Sequence, residues 1–293
     1  MAGLKEIKRR LTSVRNTKKI TYAMKLVSAA KLRKAQDFCQ RSRNYTQALT
    51  ELLESAVLQL DNQDMPPLAS EHLQIKKVVV LVVGASRGLC GSYNSSINKR
   101  IEQLYKKIKH DHTLAEIDAV LIGKKPAEYF KRLKRRYSKS YENIGDDVFK
   151  WPTDQICSEL EERYINQEVD KVYLVYTKFT SALSMSVEIE QLLPVEKPVV
   201  QEVGDAQAGY ILFEPSPKGV FAAMLPKLTR ARLVQAGLDA KASEHGSRMT
   251  AMDSATKNSG EIIQTLQLTY NKLRQAQITA QILDIVGGSE AVN

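Results

Sequence analysis

LKEIKRRLTSVRNTKKITYAMKLVSAAKLRKAQDFCQRSRNYTQALTELLESAVLQLDNQDM, residues 4–65, decides the architecture. It holds no glycine and no proline, in a chain that carries 14 and 9 of them. Lys, Arg, Leu, Ala, Gln and Glu dominate it, the types that lose least in a helix. Apolar side chains return at helical spacing at Leu4, Ile7, Leu11 and Val14, and again at Ile20, Met24 and Val27. One unbroken helix over this run would be roughly 90 Å long at 1.5 Å per residue. No compact core can cover so long a stripe, so the helix requires a partner of similar length.

The partner lies at the other end of the chain. Ser216-Pro217 is a helix start, an N-cap serine followed by proline at the first helical position. Pro226 is expected to kink or restart the helix, and Gly287-Gly288 to stop it after Ile285. Between them His245, Met249, Met252, Thr256, Ser259, Ile263, Leu266, Tyr270 and Leu273 step alternately by four and three, a heptad seam. Gly237, Gly246 and Gly260 each cost about 1 kcal/mol against alanine in a helix, but allow a second backbone to come close. The two ends of the chain should therefore pair antiparallel, residues 1–65 against 215–293, with the middle of the chain inserted between them.

In the middle the period changes. Val78-Val79-Val80-Leu81-Val82-Val83 is a β-branched run suited to a strand buried on both faces. A glycine-rich turn over 84–91 and a helix over 92–109 follow. Strand 119–122, Gly123 and a basic helix over 126–136 repeat the pattern, and 138–144 offers a further short strand. A helix over 153–166 and a strand over 171–178 come next. Residues 184–190 alternate cleanly, as a half-exposed, antiparallel edge strand does. The fold class is α/β, with a mainly parallel sheet over 75–200.

Charge is uneven. Thirteen Lys or Arg lie within residues 1–43 against only Glu6 and Asp37, a net of +11, while the remainder sums to −1. Such a field favours a negative partner, whether nucleic acid, anionic lipid or an acidic protein surface. Few aromatics interleave with the cations, which disfavours a nucleic-acid-binding coiled coil. Cys39, Cys90 and Cys157 are odd in number and far apart, which suits a reducing compartment. No apolar run reaches the ~18 residues of a membrane helix. The basic amino terminus shares the acid-poor character of a transit peptide, but the helical pattern runs straight through it, as in a mature protein.

Catalytic chemistry is hard to find. Gly84, Gly88 and Gly91 match neither the dinucleotide fingerprint nor a phosphate loop, so a tight strand–helix junction accounts for them, although Arg87 could meet a phosphate. This spacing opposes a small α/β enzyme with helical arms. His110 and His112 have no ligand cluster beside them, and His245 reads as an interhelical contact. No serine or cysteine stands in a nucleophile-elbow context. The chain is expected to be non-catalytic, with no cofactor and no metal.

Ile20-Thr21-Tyr22-Ala23-Met24-Lys25-Leu26-Val27-Ser28-Ala29-Ala30-Lys31-Leu32 resembles the γ subunits of F-type ATP synthases. Arg87-Gly88-Leu89-Cys90-Gly91 with Asn94 agrees, and so does the tail from Ser243-Glu244-His245 to Ile285-Val286. The likeness runs from end to end. It implies a terminal coiled coil with an inserted Rossmann-like domain, the coil being the central rotor shaft within a ring of three α and three β subunits. The foot would rest on the membrane c-ring with the ε subunit, and proton flow would drive catalysis in the β subunits.

The resemblance puts Met24 and Lys25 near a β catch loop, and Arg248, Gln275, Thr279 and Gln281 against the surrounding hexamer. Tyr210 and Glu214 fall near the foot. Gln281 replaces a glutamate common in the family, and Ala85 an aspartate that usually precedes the glycine turn. No transmembrane insertion is implied. The expected place is the cytoplasmic side of a bacterial inner membrane, as a peripheral subunit.

Overall fold

The computed structural model describes residues 3–57, 65–182, 184–196, 213–214 and 216–290. It divides into two units, Met1–Ala29 with Arg248–Asn293, and Ala30–Ser247. Helices α1 (Leu4–Val57) and α5 (Pro217–Glu290) each contribute to both.

The larger unit holds β1 (Lys77–Val83), α2 (Tyr93–Asp111), β2 (Glu116–Ile122), α3 (Lys124–Arg132), β3 (Lys139–Tyr141), α4 (Thr153–Ile165), β4 (Lys171–Phe179) and β5 (Met185–Leu193). The strands form one sheet in the order β3-β2-β1-β4-β5. All neighbours are parallel except β4 and β5, so the expected antiparallel edge strand is present. β1 is central, with Val80 level with Ala119 on one side and Tyr173 on the other. Six of its seven residues are buried, which explains the unbroken β-branched run.

Right-handed crossovers place the helices. Passing from β1 to β2 to β3 puts α2 and α3 on one face, and Val78, Val80 and Val82 pack there with Ile97, Ile101, Leu104 and Phe130. The return from β3 to β4 carries α4 over the opposite face, where Ile156, Leu160 and Tyr164 are buried. α1 and α5 lie antiparallel in this unit too, with Arg43 and Cys39 both reaching Asp239.

Of the two outcomes expected at Pro226, a kink or a restart, the helix does not restart. Phe221, Met224, Leu225 and Leu228 are buried around that turn, and their burial, at ~1.5–3 kcal/mol for a large apolar side chain, offsets the helix bond that proline removes. Nor does Gly287-Gly288 stop it, since α5 continues to Glu290. Glycine permits a left-handed cap but does not impose one.

Candidate functional site

In the smaller unit α1 and α5 pack along a heptad seam. On α5 it is the expected one as far as Tyr270, with Met252 and Ser259 buried and Met249, Thr256, Ile263, Leu266 and Tyr270 half-buried, while Leu273 is 38% exposed. On α1 it is not. Leu4, Ile7, Leu11 and Val14 face inward as expected, but the inward face continues through Thr21, Lys25 and Ser28. Ile20 and Val27, assigned to the buried stripe, are 60% and 56% exposed, and Met24 is only half-buried. The corrected seam keeps alternate steps of three and four (Leu11, Val14, Lys18, Thr21, Lys25, Ser28), which two helices wound together require. The apolar residues leave that phase after Val14.

Polar contacts fill the seam where hydrophobicity fails. Thr256 Oγ1 donates to Thr21 Oγ1 at 2.8 Å, and Lys25 Nζ meets Asp253 at 2.6 Å. A Cβ on Gly260 would lie 3.2 Å from Lys18 Nζ, and Arg15 reaches Gln267 at 3.2 Å. As one number rises the other falls, so the pairing is antiparallel. The hydrogen bond to Asp253, and then its charge, raise the Lys25 pKa. Lys25 and then Lys257 hold Asp253 below the usual carboxylate value.

The same register brings Leu4, the first residue of α1, level with about Leu273, by extension of the antiparallel spacing. α5 therefore runs on past the start of its partner. Ile278, Ile282 and Ile285 are exposed there at spacings of four and three, a single apolar stripe. Gln275 and Thr279, one turn apart, are exposed on this projecting segment, and so is Gln281. Arg248 is buried. Glu214 is exposed, and Tyr210 lies outside the described residues. The expected contact residues thus occupy separate places: Met24 and Lys25 along the pair, Gln275, Thr279 and Gln281 on the projection. The stripe on the projection is the element that sequence reasoning missed. Its signal was the four–three spacing of Ile278, Ile282 and Ile285 among themselves, out of phase with the seam that ends at Leu273.

The larger unit has the place where a doubly wound sheet holds nucleotide, at the carboxyl ends of β1 and β4 where the connections diverge. α5 fills it. Tyr93 Oη donates to the Ala240 carbonyl at 3.2 Å and Ser243 Oγ to the Thr177 carbonyl at 3.2 Å. Ala85 is fully buried, and its N–H donates to Asn94 Oδ1 at 3.4 Å. Gly123, at φ +103, has its Cβ position 2.4 Å from the Gly84 carbonyl oxygen, and a Cβ on Gly84 would meet Pro126 at 2.4 Å. These glycines close a junction between two strand–helix turns.

His245 faces a loop of the inserted domain. Its Nε2 lies 3.6 Å from Asp146, which also takes Lys31 at 2.6 Å and Lys241 at 3.6 Å. His245 is the main cause, with Lys31 and Lys241 adding to it against partial burial, of an Asp146 pKa far below the carboxylate range. Among the described residues no three His, Cys, Asp or Glu gather as metal ligands.

Comparison with known proteins agrees on one family. A family model described as ATP synthase matches residues 3–292. The ATP synthase gamma chain of Geotalea uraniireducens (strain Rf4) is 40% identical over 292 residues, spanning all of this chain and 99% of its own. That of Christiangramia forsetii is 40% identical over 295 residues, covering all of both chains. Among solved structures, a chain of the Euglena gracilis mitochondrial ATP synthase OSCP/F1/c-ring assembly superposes with a TM-score of 0.65 at 18% identity, over 99% of this chain and 94% of its own. A chain from the central stalk and c-ring of the Tetrahymena thermophila mitochondrial enzyme gives 0.55 at 21% identity, over 80% and 99%.

Proposed function

Since this chain belongs to the ATP synthase gamma chain family, we propose that it turns as the central-stalk rotor of a proton-translocating ATP synthase, coupling proton flow to the catalytic cycle. The observation that carries the reading is the antiparallel pair of chain ends with α5 projecting beyond it under an apolar stripe. A helix exposing Ile278, Ile282 and Ile285 suits a greasy sleeve. An apolar sleeve holds the projection without fixing its angle, because such contacts are non-directional.

The sleeve would be the hexamer of α and β subunits, with Gln275, Thr279 and Gln281 as its polar contacts and Arg248 lower on the same helix. Met24, half-buried beside the exposed Ile20 and Val27, would present an apolar flank to a β catch loop. Lys25 would offer its charge there only in competition with Asp253. The basic face of α1 would draw acidic β segments without a single deep lock. Tyr210 and Glu214 would stand near the foot, beside the ε subunit and the membrane c-ring. The chain supplies no catalytic group in this scheme, and no cofactor; ATP chemistry belongs to the β subunits. Residues 1–65 and 215–293 form the mechanical part and 75–200 the inserted part.

No described helix is long and apolar enough to cross a membrane. Attachment would be peripheral, on the cytoplasmic side of a bacterial inner membrane. The test is reconstitution with α and β subunits. The purified chain should hydrolyse no ATP, and a chain lacking both 1–34 and 272–293 should lose rotation-coupled turnover. Unchanged turnover and rotation with that chain would overturn the reading.

A further inference from the structure

The net of −1 over residues 44–293 conceals two opposite fields. Residues 99–139 carry thirteen Lys or Arg against five Asp or Glu, a net of +8, and the rest of that span is correspondingly acidic. This basic segment is the α2–α3 layer of the inserted domain with its adjoining strands. All five of its carboxylates already have partners: Glu102 holds Arg135, Glu128 holds Lys125, Asp118 holds Arg163, Glu116 lies 3.7 Å from Arg136, and Asp111 is hydrogen-bonded to His110. Lys106, Lys107 and Lys134 are exposed; Lys106 and Lys107 only add their charge to carboxylates already bonded to other groups, Glu102 and Asp111.

A second feature lies at the amino-terminal edge of the sheet, where α2, α3 and α4 end. Leu73, in the loop leading into β1, is fully exposed, and Leu114, between α2 and β2, is 94% exposed. Leu133 follows α3 and Ile165 ends α4, both exposed. Topology alone brings these four to one edge, because each precedes a strand or ends a helix that runs back along one. Lys106, Lys107 and Lys134 belong to the same end of the α2–α3 layer. Large apolar side chains held among cations match the boundary between headgroups and acyl chains of an anionic bilayer.

We propose that this edge rests on an anionic phospholipid surface, inserting its leucines shallowly between headgroups that its lysines attract. The proposal deepens the rotor reading and rests on it for the nearness of a membrane. A fluid lipid surface also lets the domain sweep round, as a rigid protein partner would not. Nucleic acid fits less well. The aromatic rings of this layer turn inward, with Tyr129 donating to Glu102, Tyr105 under Arg135 and Phe130 buried, so bases would find no stacking platform.

The test uses the complex of α, β and this chain, so that the basic α1 is covered by its hexamer. Co-sedimentation with phosphatidylglycerol/phosphatidylcholine vesicles is compared with phosphatidylcholine alone. Binding should need the anionic lipid and weaken with salt. Lys106→Gln with Lys107→Gln and Lys134→Gln should reduce it roughly a hundredfold, at about fivefold per cation near such a surface. Leu73→Ser with Leu114→Ser should weaken what survives at high salt. An environment-sensitive dye at Leu114→Cys should shift to the blue with anionic vesicles, and one at Lys124→Cys, at the opposite edge, should not. Unchanged emission at Leu114→Cys overturns the proposal, as does wild-type binding by the lysine variant, or capture of duplex DNA without capture of vesicles. ATP-driven rotation of the same complex without vesicles tests the rotor reading separately.

Discussion

Replacing Asp239 should loosen α5 from the inserted domain, and the structure fixes how much. The Asp239 side chain is 3% exposed and accepts from Arg43 Nη2 at 2.7 Å, Gln235 Nε2 at 2.7 Å and the Phe179 N–H at 3.3 Å. Arg43 is 48% exposed, so solvent screens its charge; a pair of that kind contributes at most about 1 kcal/mol. The Phe179 N–H has no such outlet, and orphaning a buried donor costs about 1–3 kcal/mol. Asp239→Ala should therefore cost about 1–4 kcal/mol by adding these terms. Asp239→Asn keeps an acceptor for Phe179 and should cost about 1 kcal/mol, chiefly the weakened Arg43 contact. A double-mutant cycle with Arg43→Ala should give a coupling below about 1 kcal/mol. Urea unfolding of the full chain can be followed by Trp151, the single tryptophan, which is buried against Gly237. Equal effects of Asn and Ala, both under about 0.5 kcal/mol, would refute the reasoning, because a needed buried acceptor cannot be that cheap to remove. If Arg43→Ala costs as much as Asp239→Ala, the charge pair matters rather than the N–H.

Gly237→Ala would set a Cβ 2.8 Å from both Trp151 and Val148; it should destabilise by about 1–3 kcal/mol and shift Trp151 emission. Gly123→Ala, with φ +103 and a carbonyl oxygen 2.4 Å from the new Cβ, should cost more than the ~1 kcal/mol of an ordinary glycine-to-alanine mismatch, seen as a lowered urea midpoint. Burial opposes ionisation of Asp170, but hydrogen bonds from the Lys77 N–H, His72 and the Lys76 N–H outweigh it and lower its pKa below 3.8. Its stabilising effect should be complete above pH 3.8 and fade as pH falls through the lower folded value, and Asp170→Asn should flatten that acid limb in unfolding curves. Burial, followed by the Asp239 and Glu161 carboxylates respectively, pushes the Cys39 and Cys157 thiols up to about 12. Iodoacetamide at pH 8 should label neither in the folded chain and both after denaturation, as read by mass spectrometry.

The inserted sheet was legible because its strands announce themselves. Six consecutive β-branched or leucine residues at 78–83 have one natural home, a central parallel strand, and the alternation at 184–190 marks an edge. Of the glycines read as a tight junction, Gly84 is crowded against Pro126 and Gly91 has a positive φ, while Gly88 has room around it. The phase of the α1 seam was not legible beyond Val14. There the inward face passes to the buried Thr21 and Ser28 and the half-buried Lys25, while Ile20, Leu26 and Val27 turn outward. Hydrophobicity marks a seam only where the seam is dry, and here hydrogen bonds and an ion pair hold it. A strict count of threes and fours from Leu4 would have kept the phase. The basic α2–α3 layer was hidden by summing charge over too long a span, and the filling of the sheet's crevice by Ala240 and Ser243 needed the tertiary fold.

Rotation of the assembled complex tests the central claim most directly. A probe at Lys107→Cys, on the outside of the inserted domain, can be followed in surface-anchored hexamers supplied with ATP. The account predicts that it turns continuously in one direction and halts when ATP is withdrawn. A probe that keeps one orientation while the same complexes hydrolyse ATP would contradict it.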